Sequence, residues 1–123
     1  MATMAIGAGS FEKTVQEHDI VLVDFWAAWC GPCRMFAPVF EKASEVHDDI
    51  AFAKVDTEAE PVLAQQAGIS SIPTLMAFRD GVLVYRQPGA LPAASLEQLI
   101  EAVRGLDMDD VRAKLADAQS ARS

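Results

Sequence analysis

Ile20-Val21-Leu22-Val23-Asp24-Phe25-Trp26-Ala27-Ala28-Trp29-Cys30-Gly31-Pro32-Cys33 is the stretch on which the fold turns. Its first seven residues are almost continuously apolar, the pattern of a strand covered on both faces. From Gly31 the periodicity becomes helical, with Met35, Phe36, Val39, Phe40, Ala43 and Val46 recurring at spacings of three and four. This helix is expected to end near His47-Asp48-Asp49 and to kink at Pro38, whose ring clashes with the carbonyl one turn back. The chain's only two cysteines, Cys30 and Cys33, fall where strand gives way to helix. In that context a Cys-x-x-Cys pair reads as a redox couple.

A purely structural disulfide is the plainer alternative. Closing so small a ring removes little chain entropy, roughly 2 kcal/mol in the loop-closure model against about 4.7 for a 100-residue loop. Side chains three apart on a regular helix lie about 5–6 Å apart at Cβ, whereas a disulfide needs roughly 3.8 Å. Cys30 is therefore expected at the irregular helix start, in a labile bridge. A closed zinc site needs four ligands, and only His18 and His47 could join the cysteines, without ligand-like spacing, so no metal is expected. The helix start also supplies the chemistry, because its free N–H groups and dipole favour a thiolate, the reactive form. An unperturbed thiol is only about 3% ionised at pH 7, and a drop of about one to two pKa units makes a large fraction reactive. Pro32 fits the first turn, where its missing N–H costs little. Cys30 is expected to be the exposed attacking thiol and Cys33, one turn in and more buried, the resolving one.

The segment Val23 to Cys33 resembles the active-site segment of thioredoxins, and the match goes well beyond the two cysteines. Gly31-Pro32 resembles the reducing members; glutaredoxins and protein disulfide isomerases usually carry other residues there. The resemblance runs from about Phe11 to Arg104. It implies an α/β thioredoxin fold, a central mixed sheet of four to five strands flanked by helices. It also implies a thiol–disulfide oxidoreductase, a general protein-disulfide reductase cycling between the Cys30/Cys33 dithiol and disulfide. Its partners would be protein disulfides and an NADPH-dependent flavin thioredoxin reductase. No cofactor is expected on this chain, which carries no nucleotide fingerprint, and a monomer is expected. A more oxidising exchange protein, or a chaperone-like binding module using the same face without turnover, are the rival readings.

A chain of 123 residues with 51% apolar and 23% charged residues makes one globular domain with a real core. A net charge of -8 without a basic cluster argues against nucleic acid and anionic membranes. No run approaches the ~18 apolar residues of a membrane span. Met1 to Ile6 lacks the basic start of a signal peptide, and the cytoplasm is the expected compartment.

Along the chain, the first nine residues are expected to hold a short edge strand or a loose arm. Ser10 is a plausible N-cap for a helix to about Glu17. Asp24 interrupts the central strand, where burial raises a carboxyl pKa. Its place just before the cysteines points to a proton acceptor for Cys33, and the resemblance agrees. Ile50 to Asp56 is the next strand, parallel to the first through a βαβ crossover. Lys54 within it is expected to approach Asp24 and to oppose the upward shift. Glu58 to Ala67 reads as a short helix, with Pro61 in its first turn and Gly68 as its stop. Leu75 to Phe78 and Val82 to Tyr85 form a hairpin around Asp80-Gly81.

The resemblance makes Pro73 the cis-proline facing the cysteines. It also gives Ile72 a main chain that pairs with substrate, and Gly89 the role of leaving room for the partner's backbone. Trp29, Gly31 and Pro32 complete the docking surface, with Trp26 as core beneath it. Arg34 stands where Lys is more usual in the family, keeping the charge but changing its hydrogen-bond geometry. A helix from Ala93 to Gly105 closes the domain (residues 1–105). An extension (106–123) is expected to carry a short helix to about Ala116 and a disordered tail from Ala118 to Ser123. His47 is expected to be a solvated helix-terminal residue.

Overall fold

In a computed structural model, described over residues 2–121, five strands form one mixed sheet in the order β1-β3-β2-β4-β5. The strands are β1 Thr3–Ala5, β2 Ile20–Trp26, β3 Ala51–Asp56, β4 Thr74–Arg79 and β5 Val82–Pro88. The helices are α1 Phe11–Glu17, α2 Gly31–Val46, α3 Pro61–Gln66, α4 Ala93–Arg104 and α5 Met108–Ala121. β1, β3 and β2 run parallel, while β4 and β5 are antiparallel, so the N-terminal segment does join the sheet as an edge strand.

β2 lies at the centre, and its alternation sorts two cores. Ile20 and Leu22 face α2 and α4, packing with Phe36, Phe40, Phe52 and Ile100. Val21, Val23 and Phe25 face the other way, toward Leu63 of α3 and Phe11 of α1. Asp24 has the parity of Leu22, which places it beneath α2, the helix that carries Cys33.

Several local expectations change. The Ser10 hydroxyl does not cap α1; it turns back and accepts the Gly7 N–H at 3.1 Å. α3 starts at Pro61 rather than Glu58, because the Asp56 carboxylate accepts the amides of Glu58 and Ala59 and holds those residues in a turn. β5 runs three residues beyond Tyr85, with a register shift at Val84, opposite the step from Ala77 to Phe78 on β4. Asp80 and Gly81 both have positive φ (53° and 79°), the two-residue geometry that matches the sheet twist.

His47 is not a solvated end residue. Its side chain is only 12% exposed and lies between Glu97 and Arg104. The helix after Gly105 continues to Ala121, through much of the stretch expected to be a disordered tail; the tail's last two residues, Arg122 and Ser123, lie outside the described residues. Asp107 caps α5 by accepting the Asp110 N–H, Met108 buries its side chain, and Arg112 reaches Asp80. Among the described residues no helix is long and apolar enough to cross a membrane.

Candidate functional site

The end of β2 delivers Cys30 to the N-cap of α2, where φ -86° and ψ 114° are extended rather than helical. That departure lets the side chain turn back over the helix start. Cys30 and Cys33 form a disulfide, with their Cα atoms 5.2 Å apart. The Cys33 N–H points at Cys30 Sγ at 3.2 Å. A thiolate at Cys30 would therefore be met by a backbone donor and by the positive end of α2.

The expected exposure of Cys30 is not found: as residues both cysteines are buried, Cys30 at 4% exposed and Cys33 at 2%. Ala27, Trp26 and Ile72 pack around both. What separates the cysteines is the opening each one borders. Cys30 lines a groove of about 430 Å³ with Trp29 and Pro32 on one bank and Thr57, Ser70, Ser71 and Ile72 on the other. Cys33 borders a crevice of about 90 Å³ shared with Trp26, Ala28, Arg34 and Lys54.

The Ile72–Pro73 peptide bond is cis, and the Ile72 carbonyl oxygen lies 3.7 Å from Cys30 Sγ. Pro73 is buried, and its carbonyl accepts the Gly89 N–H at 2.8 Å. Gly89 has φ +104°, a conformation that favours glycine, and a side chain there would meet only open space. Cys30, Ile72, Pro73 and Gly89 are thus joined through short contacts on one face.

Asp24 is 1% exposed, and neither carboxylate oxygen has a hydrogen-bond partner among the described residues. Burial pushes its pKa up to about 7, while the Lys54 charge pulls the other way and loses. The expected approach of Lys54 is one of register and field: Asp24 and Lys54 are directly paired residues of β2 and β3. They form no ion pair within 4 Å among the described residues. The Lys54 ammonium instead lies 5.0 Å from the centre of the Trp26 ring, so Trp26 is half-buried and takes a cation as well as packing.

Trp29 is 67% exposed, and its indole N–H donates to Glu58 at 2.9 Å. Arg34 donates to the Ala28 carbonyl at 2.9 Å, tethering the loop that precedes Cys30. Glu58, Thr57, Ser70 and Ser71 were not singled out by sequence reasoning. Each reaches the site across the fold from another element, and no periodicity marks such residues. Among the described residues no three His, Cys, Asp or Glu gather as a metal site.

The thioredoxin family model matches residues 2–102. A putative thioredoxin 2 of Streptomyces coelicolor is 54% identical over 119 residues, covering 97% of this chain and 89% of that protein. That alignment reaches well into the segment after Gly105. A thioredoxin of Alicyclobacillus acidocaldarius is 46% identical over 78% of this chain and 92% of its own. Among solved structures, a mutant thioredoxin from Halobacterium salinarum superposes with a TM-score of 0.77 at 36% identity, covering 85% of this chain and 91% of that one. A Plasmodium falciparum thioredoxin gives 0.74 at 32%, covering 81% and 97%. With its two cysteines already joined at the head of α2 and relatives this near, the chain belongs to the thioredoxin family and is a thiol–disulfide oxidoreductase.

Proposed function

We propose that the protein reduces disulfides of other proteins, with Cys30 attacking and Cys33 resolving. The observation that carries this is the placing of Cys30 Sγ at the helix start, 3.2 Å from the Cys33 amide, on the wall of the open groove. The Cys30 thiolate attacks one sulfur of the substrate disulfide and expels the other as a thiolate. Cys33, losing its proton to Asp24, attacks Cys30 Sγ, breaks the mixed disulfide and expels the second substrate thiolate. Two electrons pass from the dithiol to the substrate, and the Cys30–Cys33 disulfide remains.

Asp24 suits the proton step because its pKa, raised to about 7, lies near the operating pH, where a general base works best. Lys54 keeps that pKa from rising further. Trp29, Ile72, Pro73 and Gly89 receive the substrate chain, the Ile72 main chain pairing with it as an added strand. Gly31 and Pro32 stiffen the ring and keep the couple on the reducing side. The oxidised form returns to the dithiol through an NADPH-dependent flavin thioredoxin reductase. The protein works as a cytoplasmic monomer, with residues 1–105 as the catalytic domain and 106–123 as an extension.

The test is NADPH-coupled reduction of insulin disulfides with a thioredoxin reductase, beside Cys30→Ser. Turnover in the wild type that vanishes in the variant supports the reading. Absence of turnover with more than one reductase overturns it.

A further inference from the structure

One bank of the groove beside Cys30 is the segment between α3 and β4, with Ile69, Ser70, Ser71 and Ile72 facing the opening. Its ends are tied down separately. The Ile69 N–H donates to Ala64 at 2.9 Å, and the Thr74 hydroxyl donates to Ser71 at 2.6 Å. The bend between helix and bank passes through Gly68 at φ +71°. Within α3 the carbonyls of Leu63, Ala64 and Gln65 accept the amides of Ala67, Ile69 and Gly68; the next carbonyls in the bend, those of Ala67 and Gly68, lie just past the helix.

Those carbonyls are taken by one residue from across the sheet. Arg86 of β5 donates through Nη1 to the Ala67 oxygen at 2.5 Å and through Nη2 to the Gly68 oxygen. Spanning two successive carbonyls needs the planar guanidinium fork; an ammonium reaches them only one at a time. Gly68 makes room for the fork, since a Cβ there would lie 3.1 Å from Nη2. Among the described residues Arg86 forms no ion pair with a carboxylate, so the two carbonyls are what orient it. Three residues further along the chain, the Gly89 N–H donates to the Pro73 carbonyl. β5 and the residue that follows it therefore grip this segment at both ends, through Arg86 at Ala67-Gly68 and through Gly89 at Pro73.

We infer that Arg86 is a positioning residue that sets the far bank of the groove, and thereby favours protein disulfides over small ones. The inference rests on the proposal that the groove receives the substrate chain. Arg86 does not line the groove. A protein substrate must lie along Ile69 to Ile72, whereas a small disulfide needs only the sulfur of Cys30. Loosening the bank is therefore felt by the first and not by the second.

The test uses the full chain with Arg86→Met, which keeps bulk and loses both donors, and Arg86→Lys, which keeps the charge without the fork. Turnover is driven by dithiothreitol on insulin and on 2-hydroxyethyl disulfide, and amide hydrogen exchange is followed in parallel. In Arg86→Met the KM for insulin is expected to rise about fivefold, with kcat and the small-disulfide rate within about twofold. Exchange at residues 68–72 is expected to quicken about tenfold while β2 stays protected, and Arg86→Lys is expected to recover only part of both effects. Unchanged exchange in Arg86→Met overturns the inference. An unchanged insulin KM with a loosened loop also overturns it, and so does an equal fall for both substrates. If the wild type turns over neither substrate, the reductase reading has failed, and the exchange comparison still decides whether Arg86 holds the bank.

Discussion

At one end of the sheet Asp24 is buried with no hydrogen-bond partner among the described residues; at the other, Arg104, Asp49, His47, Glu97 and Glu101 share their charges near the surface. Arg104 grips Asp49 through two nitrogens (2.7 and 3.1 Å), reaches Glu101 at 2.9 Å and meets His47 at 2.8 Å. His47 in turn lies 2.7 Å from Glu97. The Arg104 guanidinium holds the Asp49 carboxyl below its usual pKa, the opposite of what burial does to Asp24. Paired, partly solvated charges cost little and contribute little. A buried carboxyl with no hydrogen-bond partner among the described residues costs much and contributes nothing to the fold; the proton step proposed above would give its place beneath the cysteine-bearing helix a use.

Asp24→Asn gives the largest expected effect. The native pKa of about 7 lies above the unfolded 3.8, so the group costs nothing below about pH 4. The cost grows between pH 4 and 7 and is complete above 7, where it reaches roughly 4 kcal/mol. Denaturant unfolding of the asparagine variant is therefore expected to show added stability approaching that figure at pH 8 and almost none at pH 3.5. A pH-independent gain would break the contrast.

In the same variant the resolving step is expected to slow about 10²-fold, read as persistence of the mixed disulfide in rapid-quench experiments. The inflection near pH 7 in that rate is expected to disappear with it. At the other end, Arg104→Met is expected to cost about 1 kcal/mol at pH 7, because its pairs are partly exposed. That loss shrinks as pH falls through the depressed Asp49 pKa, and turnover stays at the wild-type rate. The smallest effect is Lys114→Ala, which removes a solvent-exposed pair with Asp110 (3.0 Å) on α5; thermal unfolding is expected to register at most about 0.5 kcal/mol.

What the sequence made legible follows the same divide. β2 and α2 could be read because hydrophobic period and a short motif are local signals, and they place Cys30 at a helix start. The cost of Asp24 could be read too, since any acid in a continuous apolar run is expensive. The balance between its burial and Lys54 could not, because that depends on where a flexible ammonium goes, and it goes over Trp26.

The burial of both cysteine residues was also out of reach. Part of the cover is Ile72, which is 42 residues from Cys30 in the chain and packs against the cysteines beside Ala27 and Trp26. Glu58 on Trp29 and Arg86 on Ala67 are long-range polar contacts between residues that, read singly, look like ordinary surface charges. The length of α5 was underread because its apolar stripe is thin. Cap and ion pairs, from Asp107, Asp109, Asp110, Arg112 and Lys114, support it instead.

The division of labour between Cys30 and Cys33 is tested most directly by trapping the covalent intermediate. Cys33→Ser and Cys30→Ser, each reduced and mixed with a protein disulfide substrate, are compared by non-reducing electrophoresis and peptide mass mapping. The account predicts that Cys33→Ser accumulates a substrate adduct on Cys30, while Cys30→Ser accumulates almost none. An adduct on Cys33 forming as fast in Cys30→Ser as the one on Cys30 in Cys33→Ser would contradict it.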